Sequence, residues 1–190
     1  MSANAHTNSR TQRTEAAILD ATRELLAERG VGALTIEGVA ARSGVAKTTI
    51  YRRWRDKDEL ALAVLIDATE AVRTPPDIGD TRKELLNFIT SATRIITEND
   101  VLAGLTSEIA TRPELSRIYQ QRVVEVRLRA MDELVARGIE RGDLRPNTNV
   151  RLAHELLVGP RFYRLLFSGA PLDRRHATEV VDAVMTAFAA

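Results

Sequence analysis

Apolar side chains recur every three or four residues along most of the chain, which is the spacing of one face of an α-helix. Such stripes run from Ile18 to Leu26, from Leu85 to Ile96 and from Ala177 to Phe188. No segment alternates apolar and polar residues as a half-buried strand does, and glycine or proline residues separate many of the stripes. The pattern predicts an all-α protein of about nine helices.

A short helix, a glycine turn and a second short helix are predicted after Thr35. Thr35 is a typical N-cap residue, and Gly44 can adopt the left-handed conformation that ends a helix. The second helix is expected at about residues 46–54, where Ile50 and Trp54, four residues apart, can pack inward together. This arrangement is typical of a helix-turn-helix.

Positive charge is concentrated in the same segment, whereas the whole chain carries a net charge of only +1. From Arg42 to Lys57 there are six Lys or Arg residues and one acid, Asp56. A basic run alone is equally typical of a solvated helix face. Its combination with a capped helix pair favours DNA, because hydroxyl and guanidinium groups on the second helix can reach base edges and phosphates. The residues expected to contact DNA are Thr35, Lys47, Thr48, Thr49, Tyr51, Arg52, Arg53 and Lys57.

Several positions of this motif match those of a known protein family. They are Leu34-Thr35, Val39-Ala40, Gly44-Val45, Lys47, Thr49-Ile50-Tyr51 and Lys57. At these positions the sequence resembles the tetracycline-repressor (TetR/AcrR) family of bacterial transcription regulators, and the match lies within residues 13–65. The resemblance implies a three-helix DNA-binding domain followed by a connecting helix and a five-helix bundle.

The resemblance also implies roles for individual side chains. In the family, the residues corresponding to Tyr51 and Lys57 commonly hold phosphates, while the helix between them reads bases. The chain departs from the family pattern just after this helix. It has Arg53-Trp54 where many relatives have His-Phe, and Arg55 where many have proline.

The predicted domain boundaries follow from this comparison. Residues 11–56 are expected to form the helix-turn-helix domain, residues 57–74 a connecting helix, and residues 75–190 a C-terminal ligand-binding and dimerisation domain. The helix from Asp56 to Arg73 contains a segment, Leu60–Ile66, that is apolar on nearly every side, so it has to be buried on several sides. It is therefore the predicted lever that a bound ligand would move.

The last two predicted helices carry more apolar surface than a monomeric bundle needs. Core packing within one chain would account for it, but the family usually builds a two-fold dimer interface from these helices. One short recognition helix also rarely supplies enough specific contacts alone. A homodimer on an inverted-repeat DNA operator is therefore expected. The predicted interface residues are Leu156, Leu157, Leu165, Val180, Val181, Val184 and Phe188.

The resemblance further implies a ligand pocket inside the bundle. Each candidate residue taken singly is better explained as plain core or solvated face, and only the set as a whole favours a pocket. The mostly apolar set favours an apolar or amphipathic effector, whose identity the sequence does not specify. The candidates are Phe88, Leu102, Leu105, Tyr119, Arg122, His154, Phe162 and Tyr163.

Composition narrows the classes of function. The absence of cysteine excludes disulfides and thiolate-based sites, and no run of about 18 apolar residues suggests a membrane span. The three histidines share no motif spacing with Asp, Glu or Ser, and there is no phosphate-cradling glycine loop. We therefore expect no enzyme activity, no cofactor and no metal. The expected location is the bacterial cytoplasm, with nucleoid association when DNA is bound.

The sequence thus predicts a dimeric, sequence-specific transcriptional regulator. The favoured form is a repressor released from its operator by a small molecule. An alternative is a DNA-binding regulator or architectural protein that has no small-molecule inducer and is controlled by a partner protein. A DNA-processing enzyme is a more remote alternative, because no catalytic pattern accompanies the helix-turn-helix.

Overall fold

The computed structural model describes residues 3–70, 76–97 and 101–190, and the side chains of residues 11–68, 76–91 and 103–190. The described residues form nine helices and no strand, as the periodicity predicts. One isolated antiparallel bridge joins Leu144 to Ala189. None of the described helices has the length and apolarity needed to cross a bilayer. The first six helices are α1 (Ala3–Arg29), α2 (Ile36–Ser43), α3 (Lys47–Tyr51), α4 (Lys57–Glu70), α5 (Thr81–Thr97) and α6 (Val101–Thr111).

Two of the remaining three helices contain a π-helical segment. Helix α7 consists of Pro113–Tyr119, the π segment Gln120–Val124 and Glu125–Glu140 in direct succession. Helix α8 consists of Val150–Tyr163 and the π segment Arg164–Ser168, and α9 is Arg174–Ala187. Single π turns inside α-helices are frequent at functional sites, because the extra residue redirects side chains.

Side-chain caps fix several helix starts, including the one that the sequence predicts after Thr35. The side chain of Thr35 accepts a hydrogen bond from Gly38 N–H at 3.1 Å, and that of Asp80 accepts one from Lys83 N–H at 2.9 Å. Helix α1 begins at Ala3, before the residue at which the DNA-binding domain is predicted to start, residue 11. Helix α3 ends at Tyr51 and is shorter than predicted.

The chain divides into two compact units. The first unit contains Met1–Ala68 and Glu98–Arg117, and the second contains Thr69–Thr97 and Ile118–Ala190. Helix α6 and the start of α7 thus group with the helix-turn-helix, whereas the sequence prediction placed them in one C-terminal domain from residue 75. The boundaries 11–56, 57–74 and 75–190 stay a prediction.

The core of the first unit is built from one face of each helix. Ile18 of α1, Val39 of α2 and Ile50 of α3 have no solvent exposure. Helix α4 buries residues on several sides, as its nearly all-apolar sequence requires. Its buried residues are Leu60, Ala61, Leu62, Val64 and Leu65.

The second unit has its own core, formed by α5, α7, α8 and α9. Helix α9 packs on α5 and α8 of the same chain, so the apolar stripe from Ala177 to Phe188 is covered without a second subunit. Burial in one chain's core limits how far these side chains could contact a partner, although Val180 and Val184 also border a groove between α8 and α9. The predicted interface therefore stays a prediction. The predicted interface residues that are buried here are Leu157, Val180, Val181, Val184 and Phe188.

Candidate nucleic-acid interface and effector cavity

The helix-turn-helix is held in shape by its glycine turn and by buried apolar side chains. Gly44 has φ of +69°, a left-handed conformation that residues with a Cβ rarely adopt. Ile50 of α3 is fully buried, and Trp54, just after α3, is 7% exposed. These contacts leave the opposite face of α3 toward solvent.

The exposed face of α3 consists of polar side chains. Lys47, Thr48 and Arg52 are exposed, and Tyr51 is 50% exposed. Thr49 is half-buried, whereas Thr35 is exposed at the start of α2. The structure therefore places hydroxyl, phenol and cationic groups together on one helix, as a reader of DNA requires.

Carboxylates of the same unit engage several of the cations in this region. The Lys47 ammonium lies 3.1 Å from a Glu37 carboxylate oxygen, and this contact is the main cause of the lowered pKa of Glu37. Arg42 donates to both oxygens of Glu28, at 2.6 and 2.9 Å. Among the described residues, the exposed Arg52 side chain has no ion-pair partner, so its charge faces solvent.

Arg53 and Lys57, two predicted DNA contacts, also stabilise the unit internally. The Arg53 guanidinium lies 2.5 Å from Glu15 of α1, and its side chain is only 23% exposed. Lys57 Nζ donates to the carbonyls of Val31 and Gly32, at 3.4 and 3.3 Å, at the turn that follows α1. Their contacts with DNA remain predictions. To bind a phosphate, each cation would have to keep its present hydrogen bonds and add a new one, or give them up.

Arg112 forms a cluster of ion pairs that the sequence did not predict. It lies between α6 and α7 and donates to Asp56 Oδ2 at 2.6 Å and to Asp58 Oδ2 at 2.9 Å. Glu114 Oε1 accepts from Arg112 Nε at 3.3 Å. The hydrogen bond with Asp56 raises the pKa of Arg112. No local sequence signal marks a pairing between residues 56 positions apart.

Asp56 has two functions in this cluster. Its Oδ1 caps α4 by accepting from Glu59 N–H at 2.9 Å, while its Oδ2 accepts from Arg112. Burial raises the pKa of Asp56, but the hydrogen bonds from Glu59 N–H and Arg112 outweigh it and the pKa is lowered. The start of α4 is therefore tied to the junction of α6 and α7.

A cavity of about 370 Å³ lies within the second unit. It brings together three predicted ligand contacts, Tyr119 and Phe162 at its wall and the buried His154. The predicted contacts did not include the other lining residues, because valines are equally typical of core and the positions of Arg127 and Glu155 depend on the tertiary fold. The complete lining is Tyr119, Val123, Val124, Arg127, His154, Glu155, Val158, Gly159 and Phe162.

The other predicted ligand contacts do not line this cavity. Phe88 is buried behind it, with its ring centroid 6.3 Å from that of His154. Leu105 is buried in the first unit, and Arg122 and Tyr163 are exposed on the second. The side chain of Leu102 lies outside the described residues.

Two arginines, Arg127 and Arg161, give the region around the cavity an unusual charge. Arg127 lies over the Phe88 ring, 4.3 Å from its centroid, and Arg161 is 2% exposed. Burial lowers the pKa of each guanidinium to about 10, and the charge of Arg127 adds to the effect on Arg161. Burial, helped by Arg127 and Arg151, lowers the pKa of His154 to about 4, so His154 is neutral at physiological pH.

A row of large apolar side chains is exposed on α8. Leu152 is 44% exposed, Leu156 41%, Tyr163 62% and Phe167 77%. Spacings of four, seven and four residues place them on one face of the helix. The rings of Tyr163 and Phe167 contact each other, with centroids 5.9 Å apart. Of the predicted interface residues, Leu156 belongs to this row and Leu165 is half-buried.

Comparison with known proteins places these features in a family. Residues 18–64 match the family model described as bacterial regulatory proteins, tetR family, and residues 75–184 match that of the tetracyclin repressor-like C-terminal domain. The HTH-type transcriptional regulator YdeS of Bacillus subtilis, whose function is uncharacterized, is 34% identical over 94% of this chain and 90% of its own. The DNA-binding transcriptional repressor TetR of Mycobacteroides abscessus is 28% identical, over 90% of each chain.

Solved structures agree with these matches. The TetR family transcription regulator SCO0332 has a TM-score of 0.77 and 32% identity, covering 93% of this chain and 99% of its own. The regulator FadR of Bacillus subtilis, solved in complex with stearoyl-CoA, has a TM-score of 0.69 over 90% of this chain and 97% of its own, and at 20% identity it supports the fold alone. Among the described residues, no group of three or more His, Asp or Glu side chains is arranged to hold a metal ion. The chain belongs to the TetR family of helix-turn-helix transcriptional regulators.

Proposed function

We propose that the protein is a homodimeric repressor that binds an inverted-repeat operator and leaves it when a small molecule occupies the cavity of the second unit. The cavity of about 370 Å³ carries the ligand-release part of the proposal, because it falls within the range typical of small-molecule sites. The names of two similar proteins support it: one is a DNA-binding repressor, and another was solved with stearoyl-CoA.

The proposed DNA contacts centre on α3. Arg52, Lys47 and Tyr51 are exposed on it, and a phosphate near Lys47 would replace the exposed carboxylate of Glu37. Tyr51 and Lys57 remain the proposed phosphate anchors. The other proposed contacts are Thr35, Thr48, Thr49 and Arg53.

We expect Arg52→Gln to weaken DNA binding and to reduce the salt slope of log affinity by about one. Arg52 is a suitable test because no carboxylate of the described residues neutralises it. Operator DNA would first be recovered by selecting random fragments on the purified protein, and its affinity measured by fluorescence anisotropy at several salt concentrations. Arg174→Gln, which removes an exposed cation from α9 of the second unit, is the matched control. Unchanged affinity and slope for Arg52→Gln would rule out this contact.

The proposed dimer contact is the exposed row on α8. It includes Leu156, which also borders a groove of about 560 Å³ between α8 and α9. A second copy of the chain is the proposed occupant, since a recognition helix from each of two subunits would read two operator half-sites. A symmetric contact would cover Leu152, Leu156, Tyr163 and Phe167 together.

The double substitution Leu156→Arg with Phe167→Arg is expected to convert the dimer to monomers. Burying unpaired charges at a two-fold contact is strongly unfavourable, while both side chains are exposed in the single chain and should tolerate the change. Sedimentation at micromolar concentration would measure it. Ile78→Arg, at a site 48% exposed near the start of α5, is the control. A wild-type monomer, or a double variant that stays dimeric, would overturn this interface.

The proposed switch runs along α7. This helix begins in the first unit and continues in the second, where Tyr119, Val123 and Val124 line the cavity. Its π segment, Gln120–Val124, lies at that wall. A ligand that changes the position of this helix would act on Arg112, one residue before Pro113, and through it on the start of α4. Helix α4 thus remains the moving element, with α7 as its driver.

Calorimetry with and without operator tests the release mechanism as a whole. A thermal-shift screen of metabolites would first supply a compound that raises the melting temperature. If that compound releases DNA, operator must weaken its binding by the same factor, because linkage between two sites is reciprocal. Equal affinities in both conditions would favour a regulator without a small-molecule inducer.

A further inference from the structure

We propose that the effector is an apolar carboxylate with one negative charge, held by Arg127 at the wall of the cavity and by the positive field of Arg161 behind it. This inference rests on the proposed function, because it names the class of ligand for the same cavity. It is carried by the half-buried Arg127 and the buried Arg161, neither of which has a counter-ion among the described residues.

Arg127 has one protein acceptor for its guanidinium group. Its Nη2 donates to the Phe88 carbonyl at 3.3 Å, and its planar face lies over the Phe88 ring. A guanidinium has five N–H donors, so most of them have no protein acceptor among the described residues. Stacking on a ring fixes the plane of the group, which leaves its edge available for a bidentate carboxylate.

Arg161 is more deeply buried and is also incompletely bonded. Its Nη1 donates to the Ile89 carbonyl at 2.9 Å, whereas Nε and Nη2 have no partner in the part of the chain that the structure describes. A buried guanidinium without a carboxylate is unfavourable, because burial removes the hydration of the charge and one hydrogen bond does not compensate for that loss. Its position near a second unpaired cation, Arg127, adds repulsion, as the lowered pKa of Arg161 reflects. An anion in the cavity would relieve both effects.

Neutral donors complete the head-group site. Tyr119 lines the cavity, and burial raises its pKa, so its phenol stays protonated and can donate. His154 Nε2 is buried with no partner among the residues described, and its low pKa keeps the ring neutral. The exposed carboxylate of Glu155 also lines the cavity and would repel additional negative charge. These groups favour a single carboxylate over a di- or polyanion.

The rest of the lining suits an apolar tail of limited length. Val123, Val124, Val158 and Phe162 offer no charged group to a ligand. At about 370 Å³ the cavity lies near the lower end of the range typical of small-molecule sites, so a probe with a short tail is suitable. Decanoate combines such a tail with a single carboxylate, and decanol is its neutral counterpart.

Calorimetric titration with decanoate and with decanol tests the inference. We expect the wild-type protein to bind decanoate at least tenfold more tightly than decanol. Arg127→Gln should remove this preference while leaving decanol binding unchanged. The matched control is Arg129→Gln, which removes an exposed cation from the same helix two residues away and should keep the preference.

Arg161→Met provides a second variant that separates ligand binding from folding. Without ligand its melting temperature should equal or exceed that of the wild type, because the substitution removes an unpaired buried charge. Its affinity for decanoate should nevertheless fall at least tenfold. A residue with a merely structural role would lower the melting temperature and leave the preference for the carboxylate unchanged.

The outcomes for this inference and for the proposed function are distinct. Equal binding of decanol and decanoate would overturn the carboxylate while leaving the cavity as an effector site. The inference also fails if neither probe binds, even if a thermal-shift screen finds an effector of another class. Failure of the proposed function would be seen separately, as a ligand that binds equally with and without operator.

Discussion

Replacing Glu84 by alanine is expected to destabilise the protein by about 3–5 kcal/mol, which is the usual cost of removing one partner from a buried ion pair. The Glu84 carboxylate has no solvent exposure. It accepts from Ile78 N–H at 2.9 Å and lies 2.8 Å from Arg137 and 2.9 Å from Arg141. Alanine would remove this shared acceptor, although Arg141 would keep its bonds to Thr81 and Asp77.

The loss should depend on pH with a defined sign. Burial raises the pKa of Glu84, but the hydrogen bonds from Ile78 N–H, Arg141 and Arg137 outweigh it and hold the pKa below its ordinary value of 4.5. A group whose pKa is lower in the folded state contributes stability above its unfolded pKa and loses it as the pH falls. The difference between the wild type and Glu84→Ala should therefore be complete at pH 7 and shrink below pH 4.5.

Asp182→Ala is the matched control for this prediction. Asp182 pairs with Arg82 at 2.5 Å, but both side chains are about half exposed, so its loss should change stability much less than the loss of Glu84. Urea unfolding followed by circular dichroism at several pH values would measure both variants. Equal effects of the two substitutions would show that the buried network does not stabilise the fold as argued.

The helices themselves follow from local sequence, which is why they could be predicted. A cap such as Thr35, a left-handed glycine such as Gly44 and an apolar stripe such as that of α5 act within one or two turns of helix. The all-α fold needed no other information. The first residues of α1 have no apolar stripe in the sequence, so the start of the helix at Ala3 was not predicted.

The partners of charged residues could not be predicted, because they depend on the tertiary fold. Glu84 meets Arg137 from 53 residues away, and Arg112 meets Asp58 from 54 residues away. Nothing in the local pattern distinguishes these arginines from exposed ones such as Arg129. The cavity arginine Arg127 was missed for the same reason.

The apolar stripes raise a different difficulty. A stripe shows that a helix face is covered, but it does not identify what covers it. The stripe of α9 was assigned to a dimer, yet α5 and α8 of the same chain cover it. The exposed row on α8 was found only once the structure separated covered faces from open ones, through Phe167 at 77% exposure and Tyr163 at 62%.

The second large effect is expected from Arg112→Met, which should uncouple ligand binding from DNA binding. Arg112 is 27% exposed and has carboxylates of Asp56 and Asp58 within 2.9 Å. Methionine preserves much of the apolar stem but removes these ion pairs. The cap on α4 should persist, because Asp56 Oδ1 still accepts from Glu59 N–H. The first unit should therefore still fold and bind operator.

Close packing elsewhere in the first unit supports a path through α6 and α7. Gly104 of α6 approaches Val31 so closely that an added Cβ would lie 2.8 Å from its Cγ2. The neighbouring carbonyls of Val31 and Gly32 accept from Lys57. A displaced α6 would thus disturb the turn after α1 and the Lys57 anchor, in addition to the Arg112 pairs. Two sets of interactions therefore connect one helix to the start of α4.

Operator affinity would be measured with and without a saturating cavity ligand, either decanoate or a compound returned by the screen. In the wild type the ligand should weaken operator binding 5- to 150-fold, the usual range for allosteric coupling of 1–3 kcal/mol. In Arg112→Met the two affinities should agree within about twofold, although the ligand still binds, because its contacts begin at Tyr119 in the chain. Arg117→Met, which removes an exposed cation one turn further along α7, should retain the wild-type coupling. Full coupling in Arg112→Met would exclude this residue as the link, and the effect of the ligand on DNA binding would then have to pass through α4 without it.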